Sequence, residues 1–352
     1  MLARATFIMF FLLTTLVLAQ TQLPSPAFPL TPYKADLDRP ARPHGEIYTG
    51  PLIDTHAHLL RGLKGMGISK ITKLLKRAGV TRMIVLPTPN EGRNRHAKKN
   101  TKRRREWVKS GGKKAGRLCG STAFTHWMHN AHKDGVAPEE LEKRLKQLRE
   151  DLVSGGCLGI GEIGPYHFDK KQGMGILRLP LDFEPMLRLV DLAAELDVWL
   201  DVHLEPRTPQ GVGYEREIFG GIALWFQRQP KLKLIVSHTA MTNPQNVIGM
   251  LRSHPGLMMN MKQVNPRRQI AWDHLGRISN HNDEFYEDWA KVFEEFPDHF
   301  MIGTDGRFGE KWFSGDRYLQ MVEAMRKALG SLNEKAAKMI AYKNAQRVFG
   351  NR

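Results

Sequence analysis

Eight short apolar runs, separated by stretches of helical periodicity, constrain this chain more than any other feature. The runs are Leu52–His58, Met83–Leu86, Leu118–Phe124, Leu158–Ile163, Val198–His203, Leu232–Ser237, Leu257–Met261 and Phe300–Thr304. Helical stretches are expected at Ser69–Arg77, Pro138–Leu152, Phe183–Leu196, Glu215–Gln229, Pro244–Arg252, Asp283–Glu295 and Gly315–Leu329, with a closing helix at Asn333–Phe349. Strands that alternate with helices pair in parallel through right-handed crossovers. Eight such units in about 300 residues predict an α/β fold of the (β/α)8 barrel type. A doubly wound open sheet competes, but the Gly-rich dinucleotide fingerprint after the first strand is missing.

Acidic and imidazole residues recur where these runs end. His56 and His58 are two apart on one strand and so share a face. Glu162, His203, His238 and Asp305 close the fourth, fifth, sixth and eighth runs. The intervals from His58 are 104, 41, 35 and 67 residues. A β/α unit needs roughly 30 residues, so each interval is a whole number of units. In a barrel, all six side chains therefore meet at the C-terminal mouth, where barrel enzymes keep their chemistry. Imidazole and carboxylate ligands suit a divalent metal: Zn2+ first for hydrolysis, with Mn2+, Fe2+ or Ni2+ as alternatives.

The set His56-x-His58, Glu162 in Gly-Glu-Ile-Gly, His203, His238 and Asp305 resembles the amidohydrolase superfamily of metal-dependent hydrolases. The closing stretch Asn344–Gly350 is similar to the last helix of its amidohydrolase-related members. The Gly-Glu-Ile-Gly segment resembles the TatD-like branch. The segments His203-Leu204-Glu205-Pro206 and Asp305-Gly306-Arg307 depart from that branch. The resemblance implies two Zn2+, with His56, His58 and Asp305 on the first, His203 and His238 on the second, and Glu162 bridging. It also implies that Asp305 carries the proton during hydrolysis of an amide, ester, lactone or phosphoester. A one-metal decarboxylase of the same superfamily is the alternative, and Glu162 speaks against it. Trp127, His129, Asn130, His167, Arg207 and Arg307 are weaker candidates for substrate contact. Asp201 shares the inward face of His203 as a supporting partner, and Asp54 reads as structural.

The formal charge is +17, from 53 Lys and Arg against 36 Asp and Glu. Such a balance favours an anionic partner. Asn90–Arg117 holds twelve cations and reads as a basic insertion after the second strand, either a solvated loop or an attractor of an anionic small-molecule substrate or an anionic surface. A basic protein with TatD-like nuclease activity, recruited to nucleic acid or anionic surfaces by this run, is the second alternative function. Among its aromatic residues there is only Trp107 to interleave, so nucleic acid has little support. A second interruption, Gln263–Asn282, carries Arg267, Arg268, Trp272 and His274.

The chain opens with Arg4, an apolar run Phe7–Leu18, and Val17-Leu18-Ala19 before Gln20. This predicts a secretory signal over residues 1–19 and an exported protein, with no stable membrane span once the leader is cut. Six prolines follow in Gln20–Gly50, which predicts an extended tether ahead of the catalytic domain at 51–352. The two cysteines, Cys119 and Cys157, are expected as buried thiols, because a bond across neighbouring strands fits disulfide geometry poorly.

Overall fold

The computed structural model describes residues 23–32, 39–60, 66–93, 95–154, 156–168, 176–208, 210–262 and 276–350. The expected leader, residues 1–19, and most of the second interruption, including Arg267, Arg268, Trp272 and His274, lie outside the described residues. The strands are β1 Leu52–Leu59, β2 Val80–Val85, β3 Ala115–Arg117, β4 Cys119–Gly120, β5 Gly159–Phe168, β6 Ile176–Arg178, β7 Trp199–Leu204, β8 Lys233–Val236, β9 Leu257–Lys262, β10 Phe300–Gly303 and β11 Gly306–Phe308. The helices are α1 Ile68–Ala78, α2 Ala97–Gly111, α3 Ser121–Asp134, α4 Pro138–Val153, α5 Glu184–Glu195, α6 Glu215–Arg228, α7 Pro244–Ser253, α8 Glu287–Glu295, α9 Gly315–Leu329, α10 Glu334–Lys338 and α11 Asn344–Phe349.

All pairings round the ring are parallel: β1 with β2, β2 with β3, β4 with β5, β5 with β7, then β7, β8, β9 and β10 in turn. Two staves are bent. β3 and β4 form the third, and β10 and β11 form the eighth. β10 pairs with β9, whereas β11 pairs with β1, and this exchange closes the barrel. The kink falls at Thr304–Asp305, where the Asp305 N–H donates to the His56 carbonyl at 2.8 Å. The short β6 returns antiparallel against the upper end of β5.

The helices follow from local sequence. α4 starts at Pro138, whose missing N–H costs nothing at a first turn, and buries Leu141, Leu145, Leu148 and Leu152 at helical spacing. α7 is capped by Asn243, which accepts the Asn246 N–H at 2.9 Å. Inside the barrel floor, Ile53, Ile84, Leu118, Ile235, Met258 and Met301 form an apolar plug that Phe349 of α11 closes from below. Such a plug leaves polar chemistry to the opposite mouth.

Three expectations are corrected. The run Leu118–Phe124 is strand only as far as Gly120. Gly120 has a φ of 103°, and α3 starts at Ser121, with Phe124 and Met128 buried four apart on one helical face. Residues 90–117 are an ordinary crossover and no insertion. α2 buries Trp107, and Arg104 is locked to Glu91 in a buried ion pair, Nη1 to Oε2 at 2.8 Å. A densely charged segment thus folds because its few buried positions are filled and paired. Finally, Cys119 and Cys157 form a disulfide, with Cα atoms 5.9 Å apart. Cys157 sits in the turn before β5, off the ladder that pairs Cys119 with Ile160, so the constraint on cross-strand bonds does not apply.

Residues 23–32 and 39–50 lie against α6, α7 and α8. The Thr31 N–H donates to Asn246 Oδ1 at 2.9 Å, and the Arg42 guanidinium pairs with Glu287 and Glu294 at 3.0 and 2.8 Å.

Candidate metal centre

The six residues singled out at strand ends are brought together at the C-terminal mouth, all but Asp305 almost fully buried. Two breaks in strand register aim them. Ile53 faces the barrel floor, and strict alternation along β1 would put His56 on the opposite face. A register shift between Asp54 and Ala57 resets the alternation, so His56 and His58 both point inward. A second shift, between Ile160 and Ile163 on β5, does the same for Glu162. Gly161 makes this turn sterically feasible: its φ is 155°, and a Cβ there would lie 2.6 Å from the Asp201 Cβ. His238 and Asp305 stand at left-handed backbone positions, φ 60° and 51°. Each such non-glycine residue costs about 1 kcal/mol or more and marks a site whose surroundings over-determine it.

Glu162 lies at the centre. Its Oε2 faces His56 Nε2 at 3.5 Å and His58 Nε2 at 3.8 Å. Its Oε1 faces His203 Nδ1 at 2.7 Å and His238 Nε2 at 3.5 Å. His58 Nε2 also meets Asp305 Oδ1 at 2.9 Å. Three cation-sized groupings of donor atoms result among the described residues: His56, His58 and Asp305; His56, Glu162 and His238; and His167, His203 and Glu205. Nitrogen and carboxylate donors of this kind fit a divalent cation. His56 Nε2 is buried without a hydrogen-bond partner, an orphan that a cation would satisfy.

Surrounding groups orient the imidazoles. His58 Nδ1 donates to the Leu86 carbonyl at 3.0 Å, which leaves Nε2 for the site. His203 Nε2 lies 2.9 Å from Glu205 Oε1, which leaves Nδ1. Glu205 also accepts from His167 Nδ1 at 3.1 Å and from the Phe168 N–H at 2.6 Å. Asp201 accepts from Ser237 Oγ at 2.8 Å, and Asn260 binds the His238 N–H at 3.1 Å. Asp54 is structural: it accepts from the Thr304 N–H at 3.0 Å, Thr304 Oγ1 at 2.7 Å and Tyr318 Oη at 3.0 Å. Metal ligands held by such outer partners gain fixed tautomers and geometry.

The charges are strongly coupled. Burial opposes ionisation of Glu162, but the His56 and His203 charges outweigh it and hold the carboxyl well below its usual range. Burial likewise opposes ionisation of Asp305, and Lys262 with His58 reverses the effect. His56 and His203 overcome their burial through Glu162 and rise to about 9. Burial, with Lys262 nearby, pushes His238 well below its ordinary value. Asp201 is raised by burial to about 7.

The weaker candidates divide. His167 reaches the site through Glu205. His129 is buried in α3, with Nε2 3.1 Å from the Gly164 carbonyl, so it braces the β5 backbone and offers no open surface. Trp127 points outward to α4, where the Arg144 guanidinium sits 4.9 Å from its ring centre. Asn130 is exposed on α3. Arg207 pairs with Glu215, and Arg307 of β11 lies 3.8 Å from Glu310. Three site residues escaped sequence reasoning: Glu205, Asn260 and Lys262, whose Nζ is 3.0 Å from Asp305 Oδ2. The signal was available. Glu205 is two beyond His203, and Lys262 is two beyond Asn260, so each pair shares an inward face.

Fold and site together define a (β/α)8 barrel with a candidate metal centre at its C-terminal mouth. The amidohydrolase family model matches residues 53–350, and the chain belongs to that family. No curated protein sequence matches it. Solved structures share the fold at low identity. A probable 2-pyrone-4,6-dicarboxylic acid hydrolase from Acinetobacter baumannii, with citric acid bound, has 10% identity and a TM-score of 0.52, over 86% of this chain and 100% of that one. A β-aspartyl dipeptidase from Fervidobacterium islandicum, in complex with a β-Asp-Leu dipeptide, has 17% identity and a TM-score of 0.52, over 86% and 74%. A 5-carboxyvanillate decarboxylase from Novosphingobium aromaticivorans, complexed with manganese and 4-hydroxy-3-methoxy-5-nitrobenzoic acid, has 14% identity and a TM-score of 0.50, over 91% and 100%.

Proposed function

We propose that this protein is a two-metal hydrolase of the amidohydrolase family that cleaves an amide, ester, lactone or phosphoester in a small, anionic substrate. One observation carries the reading: Glu162 turns one oxygen to the His56–His58 pair and the other to the His203–His238 pair. That is the disposition of a carboxylate shared by two cations. His56, His58 and Asp305 would hold the first, and His203 and His238 the second. Divalent cations held there, Zn2+ by ligand type, supply Lewis-acid activation of water and of the scissile bond's oxygen.

The remaining chemistry belongs to the chain. Asp305 sits at the edge of the buried set, its carboxylate 16% exposed, and is kept ionised by Lys262. It takes the attacking water's proton and returns it to the leaving group. Lys262 orients Asp305 and, with Arg307 of β11, favours a negatively charged substrate. Export is part of the proposal. The apolar Phe7–Leu18 run supports it, and so does the Cys119–Cys157 bond, of a kind that persists in oxidising compartments.

Metal analysis of reconstituted protein tests the reading, paired with ester, lactone, amide and phosphoester substrates. Near two equivalents per chain are expected, falling to near one in Glu162→Gln. A firm single equivalent, untouched by that substitution, would transfer the assignment to a one-metal lyase.

A further inference from the structure

Nearly all of the chain's excess charge sits on one flank of the barrel. Residues 66–117 contain 17 Lys and Arg against Glu91 and Glu106, a net +15 of the total +17. Glu91 is consumed internally by Arg104. α1 exposes four cations and α2 exposes five, with Lys113 and Lys114 exposed in the turn that follows. Glu106 is the one exposed acid on the two helices. Elsewhere on the wall, several arginines are paired across neighbouring helices: Arg149 with Glu195, Arg188 with Glu142, Arg228 with Asp191 and Arg252 with Glu295. Among the described residues, no lysine of α1 or α2 makes an ion pair. Arg105 alone reaches out, to Asp151 of α4 at 3.5 Å.

α1 and α2 pack side by side, each running back down the outside of the barrel after its strand. The cations therefore line the outer wall, and only the starts of α1 and α2 approach the catalytic mouth. α2 is 15 residues, about 22 Å, long. So many like charges, kept close together without partners, cost solubilised repulsion that a bound polyanion would relieve.

We propose that the α1–α2 flank docks the protein onto an anionic lipid bilayer surface. The match is one of charge and shape. Two neighbouring helices present a broad outward wall of cations to a planar array of headgroups. Neither helix exposes a large apolar or aromatic side chain; those exposed among the described residues are Ile47, Val153, Val212 and Trp312. The contact is thus electrostatic and peripheral, with no inserted wedge and no platform on which bases could stack. The apolar run Phe7–Leu18 marks a chain that meets a membrane during its export. Docking by the flank leaves the mouth of the barrel open to substrate. The inference is independent of the reaction proposed above.

The test is partition of the purified full chain onto vesicles of phosphatidylcholine containing about 30 mol % phosphatidylglycerol, compared with phosphatidylcholine alone. The difference between the two isolates charge from any binding by the apolar N-terminus. Lys70, Lys73, Lys98, Lys102 and Lys109 are replaced together by Gln, which keeps helix propensity. Each cation near such a surface is worth roughly fivefold in partition, so the variant should lose at least about a hundredfold. A control with Lys143, Lys146, Lys231, Lys291 and Lys335 replaced by Gln carries the same charge change elsewhere and should lose far less. Wild-type binding should vanish by about 0.5 M salt, where exposed charges are screened within a few ångströms. Circular dichroism and thermal melting verify that both variants remain folded. Equal loss in variant and control, no preference for the anionic vesicles, or tighter binding to duplex DNA than to the vesicles would each overturn the proposal.

Discussion

Replacing Glu205 by Gln probes how the second half of the metal centre is held, using a residue that no proposed ligand set contains. The Glu205 side chain is 2% exposed and accepts from three donors: His203 Nε2 at 2.9 Å, His167 Nδ1 at 3.1 Å and the Phe168 N–H at 2.6 Å. Oε1 serves both imidazoles and Oε2 serves the backbone. Gln keeps the volume but turns one acceptor into a donor. If its carbonyl stays on the Phe168 N–H, the amide faces His203 Nε2 and drives the imidazole proton to Nδ1, the nitrogen that faces Glu162 and the site. If the amide flips, two N–H donors confront each other in a buried pocket, at a cost of about 1–3 kcal/mol. Either way the Nδ1 lone pair of His203 is lost or loosened. Outer partners of metal-bound imidazoles are worth roughly 10- to 100-fold in affinity, or about 1.4–2.7 kcal/mol. Competition against a chelator should show weaker binding of one cation in Glu205→Gln, with the other little changed. Melting of the metal-free variant, measured in parallel, separates loss of fold from loss of tautomer control. If both cations bind Glu205→Gln within twofold of wild type, Glu205 does not set the His203 tautomer.

Asp305→Asn cannot accept a proton, and turnover should fall by at least roughly a hundredfold while some metal is retained; near-normal turnover would remove Asp305 from proton transfer. In the metal-free protein, His56 and His203 stand at about 9, above their ordinary 6.5. Their stabilisation is therefore complete below pH 6.5 and is lost as pH rises through about 9. Cation binding must expel these protons, so apparent affinity should climb with pH up to about 9, with proton release visible as buffer-dependent heats in calorimetry. A metal-free Tm that stays flat across that window, or binding without proton release, would contradict the charge assignment. The Cys119–Cys157 bond closes a 38-residue separation, worth about 4 kcal/mol by loop entropy. The double Cys→Ser variant should melt roughly 6 °C lower, and reductant should destabilise wild type alone. Equal Tm values with and without reductant would show that the bond is not formed.

Periodicity carried much of this protein. Whole-unit spacing from His58 to Glu162, His203, His238 and Asp305 put these residues at strand ends on one side of a parallel sheet, and eight units favoured a barrel, because scattered buried charges would lack partners. Amphipathic spacing found α4 and α9 to within a residue, since Leu141, Leu145, Leu148 and Leu152 repeat at 3.6. Helix and strand could not be told apart in the short run Leu118–Phe124, where length was too small for periodicity to decide. Charge density misled at residues 90–117: composition records like charges but cannot register that Arg104 finds Glu91 or that Trp107 fills the gap beneath α2. The tertiary structure also decided which way the ligands point. His56 and Glu162 face inward because β1 and β5 slip register just before them, and a slip is fixed by neighbouring strands. Glu205 and Lys262 became site residues through closure of the barrel. Their spacing of two from His203 and Asn260 puts each on the inward face, but only the closed barrel brings Glu205 against both His167 and His203, and Lys262 across from β9 to Asp305.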